Sequence, residues 1–347
     1  MSDVPLSPLR LTIFAIVVGV IAIASAAYLY VVRVETPPAS ASPTRLVNDG
    51  QRQALLPIRQ QAHVAFREMA PGPGYGRLAF RSLEDSANRV TTELTCNRVH
   101  FTATVGLCLT IARDPAGFRG YLIDDRLEVT RAIELPGVPS RTRISRDSRF
   151  AAYTVFVAGD SYLATGLSTR TRIVDAHSGS MLGDLESFAV TRDGTAIRAA
   201  DFNFWGVTFT RDANRFYATL GTAGRILLVE GDVAARALRV IAEDIECPAL
   251  SPDETHIAFK KRFGSGLDAW WQPAVFNLAT KDVRLLPEPK HIDDQIEWLD
   301  DGHILYAVGH SVSAALRRAD VWSLAIDGAS PPSLFIRDAE SPAVVRP

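Results

Sequence analysis

Lysine is scarce in this 347-residue chain: Lys260, Lys261, Lys281 and Lys290 are four of the 37 basic residues, and arginine supplies the other 33. That bias fits a GC-rich coding sequence better than a functional device. Excess charge of either sign is also missing. The 37 basic and 39 acidic residues leave a net charge of −2, which argues against a nucleic-acid-binding surface, normally marked by a basic excess. Three cysteines are too few for a disulfide scaffold. The nucleophile pattern GxSxG, the zinc pattern HExxH and the phosphate-cradling Walker loop do not occur, so the commonest hydrolase, metalloprotease and nucleotide-binding signatures are excluded. A 47% hydrophobic composition in turn excludes wholesale disorder.

One long apolar run is present. Leu11 to Val32 is 22 residues without a charge, and at about 1.5 Å per residue it reaches roughly 33 Å, enough to cross a hydrocarbon core of ~30 Å. Arg10 and Arg33 bracket it, and Tyr28 and Tyr30 sit near one end, where amphipathic rings favour the interface. The competing reading is a signal peptide cleaved at Ala24-Ser25-Ala26. The apolar run continues past that site, which favours an uncleaved anchor. The expected layout is a short cytoplasmic N-terminus over 1–10, a transmembrane helix over 11–32, a linker over 33–59 and an extracytoplasmic domain over 60–347. The linker starts with the Pro/Ser/Ala-rich stretch from Glu35 to Arg45.

The remainder reads as short strands separated by turn residues, with no convincing helical period. Four segments align on an aspartate: ISRD ending at Asp147, FTRD at Asp212, LSPD at Asp253 and WLDD at Asp301. Each has a large apolar residue three places before the aspartate, then a turn and an apolar strand. Aspartate suits the turn because its carboxylate accepts nearby backbone N–H groups. The aspartates lie 65, 41 and 48 residues apart. The long interval holds an extra hairpin, Phe188 to Arg198, turning on Asp193-Gly194. Taking out about 20 residues restores a period near 45, which with four strands per unit is the arithmetic of a β-propeller blade.

The segments Leu250-Ser-Pro-Asp253 to Ile257-Ala-Phe259 and Asp320-Val-Trp322 to Asp327-Gly328 resemble the TolB-like (WD40-like) β-propeller family, with its "apolar-S-P-D-G…I-A-F" and "D-I-W…D-G" patterns. Glu254 stands where that family usually has glycine. The resemblance covers about residues 60–347, and an anchored propeller of this layout is also similar to envelope proteins of actinobacteria. It implies an all-β, six-bladed propeller after the single N-terminal transmembrane helix. Related propellers can precede a serine-hydrolase domain; here about ten residues follow the last blade, so no peptidase activity is expected.

Blades are expected over residues 95–135, 139–186, 187–243, 245–287 and 291–337. The strands His63–Met69, Tyr75–Ser82 and Arg89–Leu94 make only three of a sixth. The tail from Ser341 to Pro347 is expected to supply its fourth strand, closing the ring and protecting its edges. Cys96 and Cys108 face each other across a hairpin if the chain reverses near residues 102–103, within reach of a disulfide, which an exported domain would keep oxidised. Cys247 is left over as a small core residue.

No catalytic, cofactor-binding or metal-ligating residue is expected. His291, Asp293, Asp294, Asp300, Asp301, His303 and His310 cluster loosely but read as polar turn residues rather than a metal site. The candidate binding surface is Trp270 and Trp271, placed in a loop after Gly264, with the dense basic run Lys260, Lys261 and Arg262 as a solvated rim patch able to meet anionic lipid or cell-wall polymer. Phe202, Phe204 and Trp205 are assigned to packing, and Trp298 and Trp322 to the core. The expected function is a non-enzymatic binding or scaffolding module for an envelope protein or a cell-wall component, held at the membrane, with no nucleic-acid partner. The alternatives are an accessory propeller of a separately encoded enzyme, and a hydrolase or lyase with its site in the central funnel.

Overall fold

The structure is a computed structural model and describes residues 46–85, 88–111, 117–157, 168–264, 268–311 and 317–347. The segment 11–32, its alternative cleavage site and linker residues 33–45 lie outside the described residues. Among the described residues no helix is long and apolar enough to cross a membrane.

Twenty-six strands among these residues form six blades, antiparallel but for one pair in blade IV. Blade I contains β1 (His63–Glu68), β2 (Arg77–Ser82) and β3 (Arg89–Thr95). Blade II is β4 (Arg98–Phe101), β5 (Val105–Ile111), β6 (Phe118–Asp124) and β7 (Val129–Glu134). Blade III is β8 (Val138–Ile144), β9 (Phe150–Val157), β10 (Ser168–Asp175) and β11 (Met181–Asp184). Blade IV is β12 (Ala189–Arg192), β13 (Thr195–Ile197), β14 (Asn203–Phe209), β15 (Arg215–Thr222), β16 (Arg225–Asp232) and β17 (Ala237–Glu243). Blade V is β18 (Glu246–Leu250), β19 (His256–Phe263), β20 (Trp270–Asn277) and β21 (Val283–Leu285). Blade VI is β22 (Glu297–Asp300), β23 (His303–Ser311), β24 (Arg317–Ala325) and β25 (Ser333–Ile336).

The tail, β26 (Ala339–Val345), returns to pair antiparallel with β1 and completes blade I. Blade-to-blade contact runs in a ring through β4, β8, β14, β18, β22 and β26. These six strands therefore line the axis, and the closing strand is the innermost of its blade.

The repeat turns follow from local chemistry. Asp147 accepts from the Ser145 hydroxyl and the Arg149 N–H, Asp212 from Thr210 and Arg215, and Asp253 from Ser251 and Thr255. The next residue in each turn is left-handed: Ser148 at φ 60°, Ala213 at 60° and Glu254 at 62°. That conformation explains the family's glycine at the place of Glu254. In the fourth copy the turn acceptor is Asp300, which takes the Gly302 N–H, while Asp301 reaches across to the Asp253 N–H of blade V. The extra hairpin turns on Asp193 (φ 50°) and Gly194 (φ 77°), both positive as a type I′ turn requires. Its strand β12 pairs parallel with β17 and widens blade IV to six strands.

Residues 49–59, read as part of the linker, form a helix instead. Helix α1 (Asp49–Arg59) opens on a capping box: the Asn48 side chain accepts the Gln51 N–H, and the Gln51 side chain accepts the Asn48 N–H. Leu55 and Ile58 pack with Leu46 and Val47 into the core shared by blades I and II. Arg52 and Arg59 donate to the carbonyls of Arg126 and Asp125.

Cys96 and Cys108 are joined, with Cα atoms 5.5 Å apart. The hairpin register differs from a reversal at 102–103: Val99 opposes Cys108, and Cys96 lies on the segment leaving blade I. The bridge thus ties the end of one blade to the second strand of the next. Replacing both cysteines by serine should cost about 3 kcal/mol, the loop-closure value for a ring of this size, and is checked by urea unfolding with and without reductant. Cys247 is free and buried.

Candidate functional site

The inner strands all run the same way, so the ring has a front face where they begin and a back face where they end. Two of them, β14 and β18, bulge near their front ends. The register of β14 against β15 shifts between Trp205 and Thr208, and that of β18 against β19 between Glu246 and Ala249. Gly206 (φ 68°) and Cys247 (φ 53°) are the left-handed residues of these bulges. They abut: a Cβ on Gly206 would fall 2.8 Å from the Cys247 Cα.

Ionic groups fill the axis. Glu340 of β26 is 1% exposed and meets Arg67 at 2.9 Å, Arg98 at 3.0 Å and Arg317 at 3.1 Å, one arginine each from blades I, II and VI. Burial alone would raise its carboxyl, but the three arginines hold it below the usual range. Next along the strand, the Ser341 N–H donates to Asp294 at 2.6 Å. Burial, with Glu340 nearby, pushes Asp294 up. The Gln295 side chain bridges the Thr142 N–H and the Val99 carbonyl. Towards the back face Glu297 pairs with Arg143 and His100. His100 accepts the Ile144 N–H on Nδ1 and sets Nε2 between Arg143, at 3.1 Å, and Glu297, at 3.6 Å. Burial holds His100 below its ordinary pKa, while Arg143 and His100 outweigh burial and hold Glu297 low.

A cavity opens at each end of this plug. The back one, of about 540 Å³, lies over His100, Arg143 and Glu297 and is rimmed by Thr102, Thr104 and Ser148. The front one, of about 530 Å³, is lined from blades III to VI and contains two indoles, Trp205 and Trp271. Its floor is Asp293, whose Oδ1 takes Lys260 Nζ at 2.8 Å and Arg141 Nη2 at 3.2 Å. These two cations overcome the burial effect and bring Asp293 down to about 2. Asp201, at the rim, accepts from the Thr222 hydroxyl and the Ala223 N–H.

The expected surface residues divide across this site. Trp270 and Trp271 are the first residues of β20 rather than loop residues, and loop residues 265–267 lie outside the described ones. Strand alternation sends neighbours to opposite faces. Lys260, Arg262 and Trp271 face the cavity. Lys261, Phe263 and Trp270 face the other way, with Trp270 stacked on Phe263 at 4.7 Å and Lys261 paired to Asp244 at 3.0 Å. Trp271 donates its indole N–H to Glu246 at 2.7 Å and carries Lys260 at 5.1 Å and Arg262 at 5.7 Å from its ring centre. Lys260 is 1% exposed, so the expected solvated basic patch is wrong at its first residue.

Sequence reading placed Trp205 among packing residues, where Phe204 does belong; Trp205 lines the cavity, half-buried. Trp298 is core, and Trp322 is half-buried under Lys290. Arg141 and Phe156 were missed, having no local signal, because four blades contribute to one wall. Of the residues weighed for a metal, Asp293 and Asp294 sit at the axis, His291 packs on Trp271, and His303 pairs with Asp300 on a turn. No group of three metal-ligating side chains stands together among the described residues.

Three depressed carboxyls set an acid limit. Asp293, Glu297 and Glu340 titrate lower folded than unfolded. Their contribution is therefore complete above the unfolded value of about 4 and is lost as pH falls through the folded values. Asp294 is raised and works in the opposite sense. Urea midpoints should fall steeply between about pH 4 and pH 2, and Asp293→Asn should flatten that slope.

Neither the family models nor the curated proteins contain a match to this chain. Solved structures do. TolB from Acinetobacter baumannii superposes with TM-score 0.57 at 16% identity, over 85% of this chain and 70% of that one. A chain of a nidogen/laminin complex gives 0.55 at 10% identity, over 82% and 98%. A TolB from Agrobacterium tumefaciens gives 0.48 at 8% identity, over 81% and 91%. At such identities the likeness speaks for the fold alone. Ring closure by the tail, six blades and the aspartate turns agree with it: this chain is a TolB-like six-bladed β-propeller in fold.

Proposed function

We propose that this protein is a non-enzymatic binding module, held at the outer face of a membrane by its N-terminal segment, and that an envelope protein or cell-wall component docks on its front face. One observation carries the reading. Ile111, Val138, Phe156 and Trp270 are large apolar side chains at least 36% exposed, and all four lie at front-face strand ends. Exposed apolar side chains that share one face mark an interaction surface more often than scattered ones do, and one of them, Phe156, also lines the front cavity. The charged groups of the axis support the same reading, since Glu340, Glu297 and His100 are committed to one another and to arginines. The Cys96–Cys108 bridge suits an oxidising compartment.

The test is crosslinking of the tagged full-length chain in its native membrane, then purification and mass spectrometry. A reproducible partner that Phe156→Glu and Trp270→Glu remove, and that Met181→Glu and Val283→Glu leave in place, is the expected result. Met181 and Val283 are more exposed still but lie off the front face. A partner lost only with the latter pair, or no partner at all, would sink the proposal.

A further inference from the structure

The groups lining the front cavity have an uneven state of engagement. Asp293 uses Oδ1 for both Lys260 and Arg141; no partner is found for Oδ2 among the described residues, and the side chain is 59% exposed. Glu246 uses Oε2 for the Trp271 indole, and no partner is found for its Oε1 among the described residues. On the donor side, Arg262 lies over Trp271 with no hydrogen bond among the described residues, and Lys260 spends one of its three N–H bonds on Asp293. The Trp205 N–H likewise has no hydrogen bond among the described residues. Free acceptors and free donors therefore share one wall, whose charged groups are the four cations Arg141, Arg225, Lys260 and Arg262 and the three carboxylates Asp201, Glu246 and Asp293.

This pattern discriminates between ligand classes. An anionic ligand would satisfy Arg262 and Lys260 but stand against Asp293 and Glu246. A cationic one would do the reverse, beside Arg141, Lys260 and Arg262. A hydroxyl donates to a carboxylate and accepts from a guanidinium, ammonium or indole N–H through one atom, so a single hydroxyl meets both sets, whereas an amide must present its N–H and its C=O separately. The two indoles complete the requirement. Trp271 is fixed by Glu246 and by the two cations. Trp205 lies against Gly221, where a Cβ would fall 2.8 Å from the indole edge, and it turns an apolar surface to the cavity. Such surfaces match the C–H faces of a pyranose ring, and about 530 Å³ lies within the usual range for small-ligand sites.

We propose that the front cavity binds a neutral, hydroxyl-rich oligosaccharide, with one sugar ring against Trp205 and its hydroxyls shared between Asp293, Glu246 and Arg262. This rests on the front-face reading and narrows it to glycan, whether a wall polysaccharide or the sugar chain of a glycoprotein. The chemistry is common to both sources.

The full chain is titrated with hexasaccharides of glucose, mannose and N-acetylglucosamine, with a sugar-bearing glycopeptide and its bare peptide, and with hexagalacturonate as the anionic probe. Tryptophan fluorescence and saturation-transfer NMR are the readouts. The expected result is saturable binding of at least one neutral sugar below about 10 mM. Trp205→Ala should weaken it roughly tenfold or more, Trp205→Phe should retain most of it, and Val283→Ala, off the front face, should leave it unchanged. Binding of the free sugar points to a wall polymer, and of the glycopeptide alone to a glycoprotein; either supports the proposal. Matching unfolding midpoints show that the variants are folded, and Asp293→Glu serves as a second variant if Trp205→Ala is not. Binding confined to hexagalacturonate or to bare peptide, or no binding while a crosslinked partner is still captured, overturns the sugar assignment and leaves the docking face standing. Absence of both removes the two readings together.

Discussion

A chain ending at Asp338 is expected to lose its cooperative unfolding transition. Such a truncation takes away the innermost strand of blade I, whose seven residues are buried apart from Val344. It exposes the inner edge of β1 and strips Ala343 and Val345 from the core between blades I and II. It also leaves Arg67, Arg98 and Arg317 without the carboxylate that all three face. An open ring has two free sheet edges, each a template for aggregation.

The single change Glu340→Ala isolates the electrostatic part of that loss. Removing one partner from a buried ionic cluster strands the opposite charges and costs about 3–5 kcal/mol. Tm should fall by on the order of 10 °C for a domain of this size. Circular dichroism and tryptophan fluorescence, followed through heating and urea, read both variants. A truncated chain that still melts in one sharp step within a few degrees of the parent would show that the closing strand is dispensable.

Two adjacent lysines should behave in opposite ways. Lys260→Ala deletes a stem packed along Trp271 and an ammonium bonded to Asp293. Three lost buried methylenes at about 0.8 kcal/mol each, with about 1 kcal/mol for the ring contact, predict a loss of roughly 3 kcal/mol. Lys260→Met keeps the stem and should recover most of it. Lys261→Ala removes an exposed pair with Asp244, whose carboxylate side chain is 70% exposed, so the change should stay within about 0.5 kcal/mol. Equal effects at the two positions would contradict the burial of Lys260, and urea midpoints for the three variants decide it. Lys260→Ala should also quench or shift the Trp271 emission, because the cation leaves its ring; Lys261→Ala should not.

What the sequence determined by itself was local or countable. Asp147, Asp212 and Asp253 close their turns on hydroxyls and backbone N–H groups two or three residues away, so the period is printed in the chain. Asp193-Gly194 sets a hairpin by backbone preference alone. The missing fourth strand of blade I followed from counting strands, because an unpaired edge must be covered. The capping box of Asn48 and Gln51 was also in print, but Pro57 and a helix of 11 residues hid it inside an apparent linker.

Tertiary structure decided the rest. Lys260 and Lys261 are indistinguishable as letters; strand alternation on the second strand of blade V buries one in the cavity wall and turns the other to the opposite face. Trp270 and Trp271 part for the same reason. That the tail is the innermost strand, with Glu340 facing arginines up to 273 residues away in sequence, depends on ring closure. The front cavity assembles Arg141, Trp205, Lys260, Trp271 and Asp293 from four blades. No local pattern encodes such a site, because its residues become neighbours only when six similar sheets are wrapped round one axis.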